Sequence, residues 1–199
     1  MLAFTLAVML LVSTPGPGVL STAGVGSAFG YRPGLAYVVG LWIGNLMVSL
    51  MVISGLAALI FSIPGVRAVL LVASVAYLAY LAARIALSGS KIAFIESASA
   101  LGAMNGFLLQ FINPKAYVVS TTLFSGFAFM PDAIALEVTI KLLIFNAIWI
   151  PIHLIWLWAG VAVRRLELAP HIQRSINVGM AVAMLAVVGL ALWSQMASG

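Results

Sequence analysis

Two short stretches of the sequence combine helix-breaking residues with polar groups inside otherwise apolar runs. Residues 14–18 read Thr-Pro-Gly-Pro-Gly, and residues 113–115 read Asn-Pro-Lys. Proline lacks an amide hydrogen and clashes with the preceding turn, so each stretch predicts a break in a helix. A broken helix presents free amides where its second half begins and free carbonyls where its first half ends. These two ends suit a small zwitterion, with its carboxylate near Gly18 or Lys115 and its ammonium on the carbonyls of residues 11–13.

The elements that must position these residues are membrane-spanning helices. The chain has 199 residues, of which 64% are hydrophobic and 7% are charged, and this composition excludes a water-soluble domain. A span needs about 20 apolar residues. Charged residues and Pro/Gly/Ser clusters divide the chain into six such runs, at 2–29, 35–61, 67–88, 102–129, 134–160 and 174–195. We therefore expect an all-α polytopic membrane protein with one transmembrane domain over residues 1–199.

The two breaks fall near the middle of spans one and four, the first span of each half. Pro15 and Pro114 are about half the chain apart, and an asparagine follows each in the next span, Asn45 and Asn146. Three spans per half is an odd number, so a duplicated half must be inverted relative to the first. The sequence predicts two inverted three-helix repeats, over 1–90 and 101–199, in which helices one and four are discontinuous.

The candidate residues of the solute path lie in the two breaks or at polar positions of the neighbouring spans. They are Ser13, Thr14, Pro15, Gly16, Pro17, Gly18, Asn45, Gln110, Asn113, Pro114, Lys115 and Asn146. Lys115 stands out, because an ionisable group near the bilayer centre is costly and usually functional. It could fix a carboxylate or carry a proton, and a long reach to the interface is the alternative. His153 is the second candidate proton carrier, against the alternative of a hydrogen-bonded interior residue.

The distribution of charge predicts the orientation. Six basic residues lie at the loops after spans one, three and five: Arg32, Arg84, Lys91, Arg164, Arg165 and Arg174. Arg67 and Lys141 lie at the loops after spans two and four, together with Asp132 and Glu137. Cytoplasmic loops carry the excess of positive charge, so both termini are expected in the periplasm. The basic residues form no stripe, which argues against a nucleic-acid partner despite the net charge of +5.

The spans hold no cluster of acids, bases or metal ligands, so neither an enzyme nor a metal or cofactor site is expected. The chain has no cysteine, which excludes disulfides and thiolate sites. Two Gly-xxx-Gly pairs, Gly40 with Gly44 and Gly26 with Gly30, allow close approach of helices. They fit packing within the chain or a homodimer, and the pattern does not choose between the two.

Residues 13–44 and residues 106–117, with the six-span length, resemble the lysine exporter (LysE) family, and specifically its homoserine/threonine exporter branch. The resemblance implies a secondary transporter that exports amino acids or close derivatives across a bacterial inner membrane, coupled to the proton gradient. By position it implies that residues 14–17 and 113–115 form the substrate path.

The chain departs from the family pattern in two places. Many members have an asparagine after the Thr-Pro-Gly-Pro motif, where this chain has Gly18, and a histidine further along span two, where it has residues 45–49, Asn-Leu-Met-Val-Ser. The resemblance therefore supports the transporter class more strongly than any particular amino acid. The alternative is an exporter or channel for another small solute.

Overall fold

The computed structural model describes residues 1–14, 16–87, 100–166 and 168–197, and every regular element within these ranges is helical. The α-helices are α1 (Leu2–Ser13), α2 (Pro17–Phe29), α3 (Tyr31–Ile53), α4 (Leu56–Ser62), α5 (Val66–Ala86), α6 (Ala103–Ile112), α7 (Pro114–Gly126), α8 (Ile134–Arg165) and α9 (Pro170–Ala197). A 3-10 turn at Pro131–Ala133 precedes α8.

Several of these helices are long and apolar enough to cross a membrane. In the described part of the chain three segments qualify alone, Tyr31–Ile53, Ala68–Ala86 and Pro131–Arg165. A fourth is added if α1 and α2, which meet at an angle of 49°, are taken as one bent span. The prediction of an all-helical, multi-pass membrane protein is confirmed at this level.

Spans two and five differ most from their predicted bounds. Span two was expected to run to residue 61, but α3 ends at Ile53, because Gly55 adopts a left-handed backbone (φ 78°) that a helix cannot continue through. The residues of span four form two helices, α6 and α7, which are separated at Asn113, where the break was predicted. Span five extends five residues beyond its predicted end, to Arg165, and α8 accommodates Pro151 without interruption.

The two broken helices pack on different partners. α1 and α2 lie against α8, whereas α6 and α7 lie against α3. Gly44 of α3 is packed on α6 so closely that a Cβ atom there would lie 2.8 Å from the carbonyl oxygen of Phe107, and Gly40 is packed in the same way on Ala103. Gly26 of α2 lies against the backbone of Leu157 in α8. These glycines of the two Gly-xxx-Gly pairs are thus engaged within the chain.

Replacing Gly40 by valine is expected to destabilise the protein, because the added side chain overlaps the backbone of Ala103 and α3 must move away from α6. Overpacking of this kind costs about 1–3 kcal/mol or more. Thermal unfolding in detergent measures the loss. Gly179→Val is the matched control, since a Cβ atom on Gly179 of α9 meets nothing within 4 Å; equal melting temperatures for the two variants would contradict the expected contact.

Candidate solute-binding site

The first break lies between α1 and α2. Thr14 (φ −61°, ψ 122°) and Gly16 (φ −158°, ψ 178°) are extended, and α2 begins at Pro17. Both the amide and the Oγ1 hydroxyl of Thr14 donate to the carbonyl of Leu10, at 3.1 and 2.7 Å. Proline fits the first helical position because an amide there has no intrahelical acceptor. The amides of Gly18 and Val19 occupy the same first turn, so they are directed out of the end of α2.

The second break lies between α6 and α7 and repeats this arrangement. Asn113 is extended (φ −74°, ψ 111°), and α7 begins at Pro114. The Oδ1 atom of Asn113 accepts a hydrogen bond from the backbone amide of Lys115 at 3.1 Å and so caps α7. The backbone N–H of Asn113 donates to the backbone carbonyl of Gln110 at 3.3 Å and closes the last turn of α6. In both breaks an extended residue is followed by proline at the start of the second helix.

The two breaks meet through one hydrogen bond. The Nζ atom of Lys115 donates to the carbonyl oxygen of Thr14 at 2.6 Å. This carbonyl lies at the end of α1, where the helix dipole favours a cation. The lysine side chain crosses Gly16 so closely that a Cβ atom there would lie 2.9 Å from its Cδ and 3.0 Å from its Nζ. Glycine at position 16 therefore leaves the space that the lysine occupies.

A cavity of about 50 Å³ lies beside this contact. It is bounded by both breaks and by one face each of α3 and α8, and its lining residues are Leu11, Val12, Thr14, Gly16, Gly18, Val19, Asn45, Gln110, Asn113, Lys115, Ala116, Val119, Phe145, Trp149 and His153. This volume is enough for about three or four water molecules. A larger solute requires Lys115 or the lining helices to move.

Three amides form a chain of hydrogen bonds along one wall of the cavity. The Nε2 atom of Gln110 donates to Oδ1 of Asn45 at 2.9 Å, and Nδ2 of Asn113 donates to Oε1 of Gln110 at 3.4 Å. All three side chains are buried. The chain links α3 to the second break and fixes the orientation of Asn113, the residue that caps α7.

His153 and Trp149 of α8 also line the cavity. Their rings are stacked with centroids 3.6 Å apart, and Nδ1 of His153 lies 2.9 Å from the carbonyl oxygen of Trp149. If that nitrogen carries the proton, Nε2 is free to accept. A Cβ atom on Gly18 would lie 3.4 Å from Nε2, so this atom faces the first turn of α2. His153 thus presents one ring nitrogen to the cavity and uses the other within its own helix.

The structure brings together eight of the residues that the sequence singled out: Thr14, Gly16, Gly18, Asn45, Gln110, Asn113, Lys115 and His153 line the cavity. Ser13, Pro17 and Pro114 are neighbours of lining residues in the sequence but do not line the cavity themselves. Pro15 lies outside the described residues. Asn146 is the exception. Its Oδ1 accepts from Nε1 of Trp42 at 2.6 Å and its Nδ2 donates to the carbonyl of Leu142, so it braces α3 against α8 away from the cavity.

The assignment of Glu137 and Lys141 to the loop after span four was wrong, although both residues fall within the predicted run 134–160. Both belong to α8 and are buried, and their side chains form an ion pair with Nζ 2.7 Å from Oε1. The available signal was their spacing of four residues in a helical segment, which places the acid and the base on one face.

Replacing Gln110 by leucine is expected to lower the stability of the protein, because it leaves Oδ1 of Asn45 and Nδ2 of Asn113 without this partner in a buried site. The expected loss is about 1–3 kcal/mol. Tryptophan fluorescence during thermal unfolding measures it. Thr121→Val is the control, since Thr121 is exposed on α7; an undiminished melting temperature for Gln110→Leu would show that the three amides do not form a stabilising chain.

Comparison with known proteins gives one family. The model of the LysE type translocator family matches residues 9–196, which include both breaks and every lining residue of the cavity. No curated protein and no solved structure gave a match.

Proposed function

Because the chain belongs to the LysE type translocator family, we propose that it exports amino acids or close derivatives from the bacterial cytoplasm by proton antiport. Membership makes it a membrane transporter of small solutes and not an enzyme. The amino acid as solute and the proton as coupling ion are our proposals. Homoserine and threonine are the first solutes to test, because residues 13–44 resemble the exporter branch named for them.

One observation carries the choice of a zwitterion: the cation of Lys115 rests on the carbonyl end of α1, at 2.6 Å from the Thr14 oxygen. The carbonyl end of α1 therefore binds an ammonium group. Within the same cavity, the amides of Gly18 and Val19 at the start of α2 favour an anion. An amino acid carries both groups on one carbon, which matches two opposed helix ends that border one small cavity.

In the empty site, the ammonium of Lys115 occupies the position on the Thr14 carbonyl that we propose for the ammonium of the solute. When an amino acid enters, its ammonium replaces that of Lys115 on the Thr14 carbonyl. The released lysine turns towards the carboxylate of the solute and adds a charge-assisted hydrogen bond to those from the start of α2. When the side chain of Lys115 moves away from Gly16, the cavity also becomes larger, and at about 50 Å³ it is otherwise too small for an amino acid.

We propose the six-span, inverted-repeat arrangement for the whole chain. It is supported by the matching geometry of the breaks, since α2 and α7 both begin with a proline that follows an extended residue. It is also supported by the packing, because each broken helix lies against the long second helix of the other half, α8 or α3. The charge distribution supports an inner-membrane protein with both termini in the periplasm.

Proton coupling in this proposal uses groups that line the cavity. Lys115 and His153 are the ionisable side chains among the lining residues, and both belong to the part of the chain that the structure describes. In antiport, one of these groups takes up a proton on the outer side when the solute leaves and releases it to the cytoplasm when the next solute binds. Gly26, Gly40 and Gly44 pack on other helices of the same chain, so they do not by themselves support a homodimer.

The experiment is a growth challenge of cells that express the protein with a panel of toxic amino acids and analogues, including those of homoserine and threonine. We expect resistance to at least one amino acid, and loss of this resistance in cells that express an equal amount of Lys115→Met. Resistance only to solutes without an amino acid group would favour the alternative, an exporter of another small solute. No resistance to any compound, with the protein present in the membrane, would overturn export.

A further inference from the structure

A second and much larger space lies beside the second break, on the outside of the helix bundle. It is a groove of about 540 Å³ between α4, α5, the end of α6 and α7, and we call it the outer groove. The described residues that line it include none that is charged, and most of them are apolar. A mostly apolar space of about 300–1,000 Å³ is typical of a site that binds a molecule.

α7 separates the outer groove from the cavity of the solute. The face of α7 that lines the cavity consists of Lys115, Ala116 and Val119. The face that lines the outer groove consists of Pro114, Tyr117, Val118, Thr121 and Thr122. Residues three or four positions apart share a face of a helix, so these two sets lie on opposite faces. The second break therefore has a polar side in the cavity and an apolar side in the outer groove.

The hydroxyl of Tyr117 satisfies a carbonyl of the break on this apolar side. It donates to the backbone carbonyl oxygen of Phe111 at 2.8 Å. The ring of Tyr117 packs edge-on against Phe61 of α4, with centroids 5.0 Å apart. A carbonyl next to hydrocarbon is costly unless the protein itself provides a donor. The contact is thus what a break needs on a side that faces hydrocarbon.

The surface around the outer groove is also suited to hydrocarbon. Large apolar side chains are at least 64% exposed on each of α4, α5 and α7: Leu59, Val69, Val72 and Val118. The apolar segment Ala68–Ala86 of α5 is long enough to cross a membrane, so these side chains face acyl chains.

The sequence places a basic residue at one end of the outer groove. Arg67 immediately precedes the apolar segment of α5 and stands one turn before Leu70 and Leu71, which line the groove. A basic position at the boundary of a span lies at the level of the phosphates of the lipid headgroups, to which it is attracted. The charge at this position therefore complements a phospholipid.

We propose that the outer groove binds one acyl chain of a phospholipid whose phosphate lies at the level of Arg67. The chain follows α7 from Thr122 to Pro114, a length of about 12 Å. It contacts Pro114 and Ile112 from the outside and supports the second break on the side away from the cavity.

Native mass spectrometry of the protein in detergent tests the site, with phosphatidylglycerol added as the probe. Thr122→Trp places an indole in the outer groove. Val72→Trp is the matched control, since Val72 is an exposed residue of similar size on α5 that does not line the groove. We expect the dissociation constant of the phospholipid to rise about tenfold or more in Thr122→Trp, because the indole overlaps the bound chain. Equal binding by the two variants, or no bound phospholipid in the unmodified protein, would overturn the proposal.

A second measurement identifies the occupant of the outer groove in a bilayer. The chain has no native cysteine, so a nitroxide can be attached at Leu71→Cys in the groove or at Val72→Cys on the open surface. We expect both labels to collide with dissolved oxygen at similar rates and to be protected from a water-soluble nickel chelate. Frequent collisions with the chelate at position 71 would show water in the groove, and protection from both reagents would show a second copy of the chain. Either result would overturn the proposal, and neither measurement uses a transported solute.

Discussion

Replacing Lys115 by methionine is expected to reduce amino-acid exchange by about 10- to 100-fold or more, the loss of one charge-assisted hydrogen bond to the solute. Methionine keeps the length and apolar stem of lysine and removes only the ammonium. The Thr14 carbonyl then has no cation in the empty site, and the solute carboxylate has no partner of opposite charge. Initial rates of exchange in liposomes, at equal amounts of incorporated protein, measure the effect.

Two further variants separate this role from a general effect of charge. Arg32→Met removes an exposed cation at the start of α3, outside the cavity, and is expected to leave exchange unchanged. Lys115→Arg keeps the charge in a larger group and is expected to retain part of the activity. If Lys115→Met exchanged amino acids at the normal rate, the assignment of Lys115 to the solute would be wrong.

The second large effect is expected at Gly16. A valine there would place its Cβ 2.9 Å from Cδ of Lys115 and force the lysine off the Thr14 carbonyl. The backbone of Gly16 (φ −158°) is extended, which any residue adopts, so the fold should persist. Since the lysine contact is lost and the cavity is narrowed, we expect exchange to fall by about tenfold or more. Gly16→Ala, with a smaller side chain, is expected to have a smaller effect.

Gly126→Val is the matched control for Gly16→Val, because a Cβ atom on Gly126 at the end of α7 meets nothing within 4 Å. It should exchange amino acids normally. Both variants should keep the melting temperature of the unmodified protein. Normal exchange by Gly16→Val would show that the position of Lys115 across this glycine is not used in transport.

The breaks could be predicted from sequence because their cause is local. A proline acts on its own helix, so the positions of both breaks follow from residue types alone. The sequence nevertheless paired Pro15 with Pro114, whereas the structure matches Pro17 with Pro114, each the first residue of a second helix. The difference arises because two prolines in one motif predict a break without indicating the residue at which the helix resumes.

The contacts between helices could not be predicted, because they depend on which faces meet. Asn45 and Asn146 look equivalent in the sequence, but Asn45 faces the cavity through Gln110 and Asn146 binds Trp42. The pair of Glu137 and Lys141 was missed for a related reason. Charges near a span boundary are normally solvated, and here the segment after α7 and the start of α1 cover them.

The central claim is that the two facing breaks bind an amino acid and carry it across the membrane. The most direct test is counterflow: purified protein in liposomes loaded with an unlabelled amino acid, with uptake of the same labelled amino acid measured over a panel of the twenty. The account predicts accelerated uptake of at least one amino acid, and an acceleration at least about tenfold smaller with Lys115→Met. No acceleration for any of them, beside a transporter of known activity that works in the same liposomes, would contradict it.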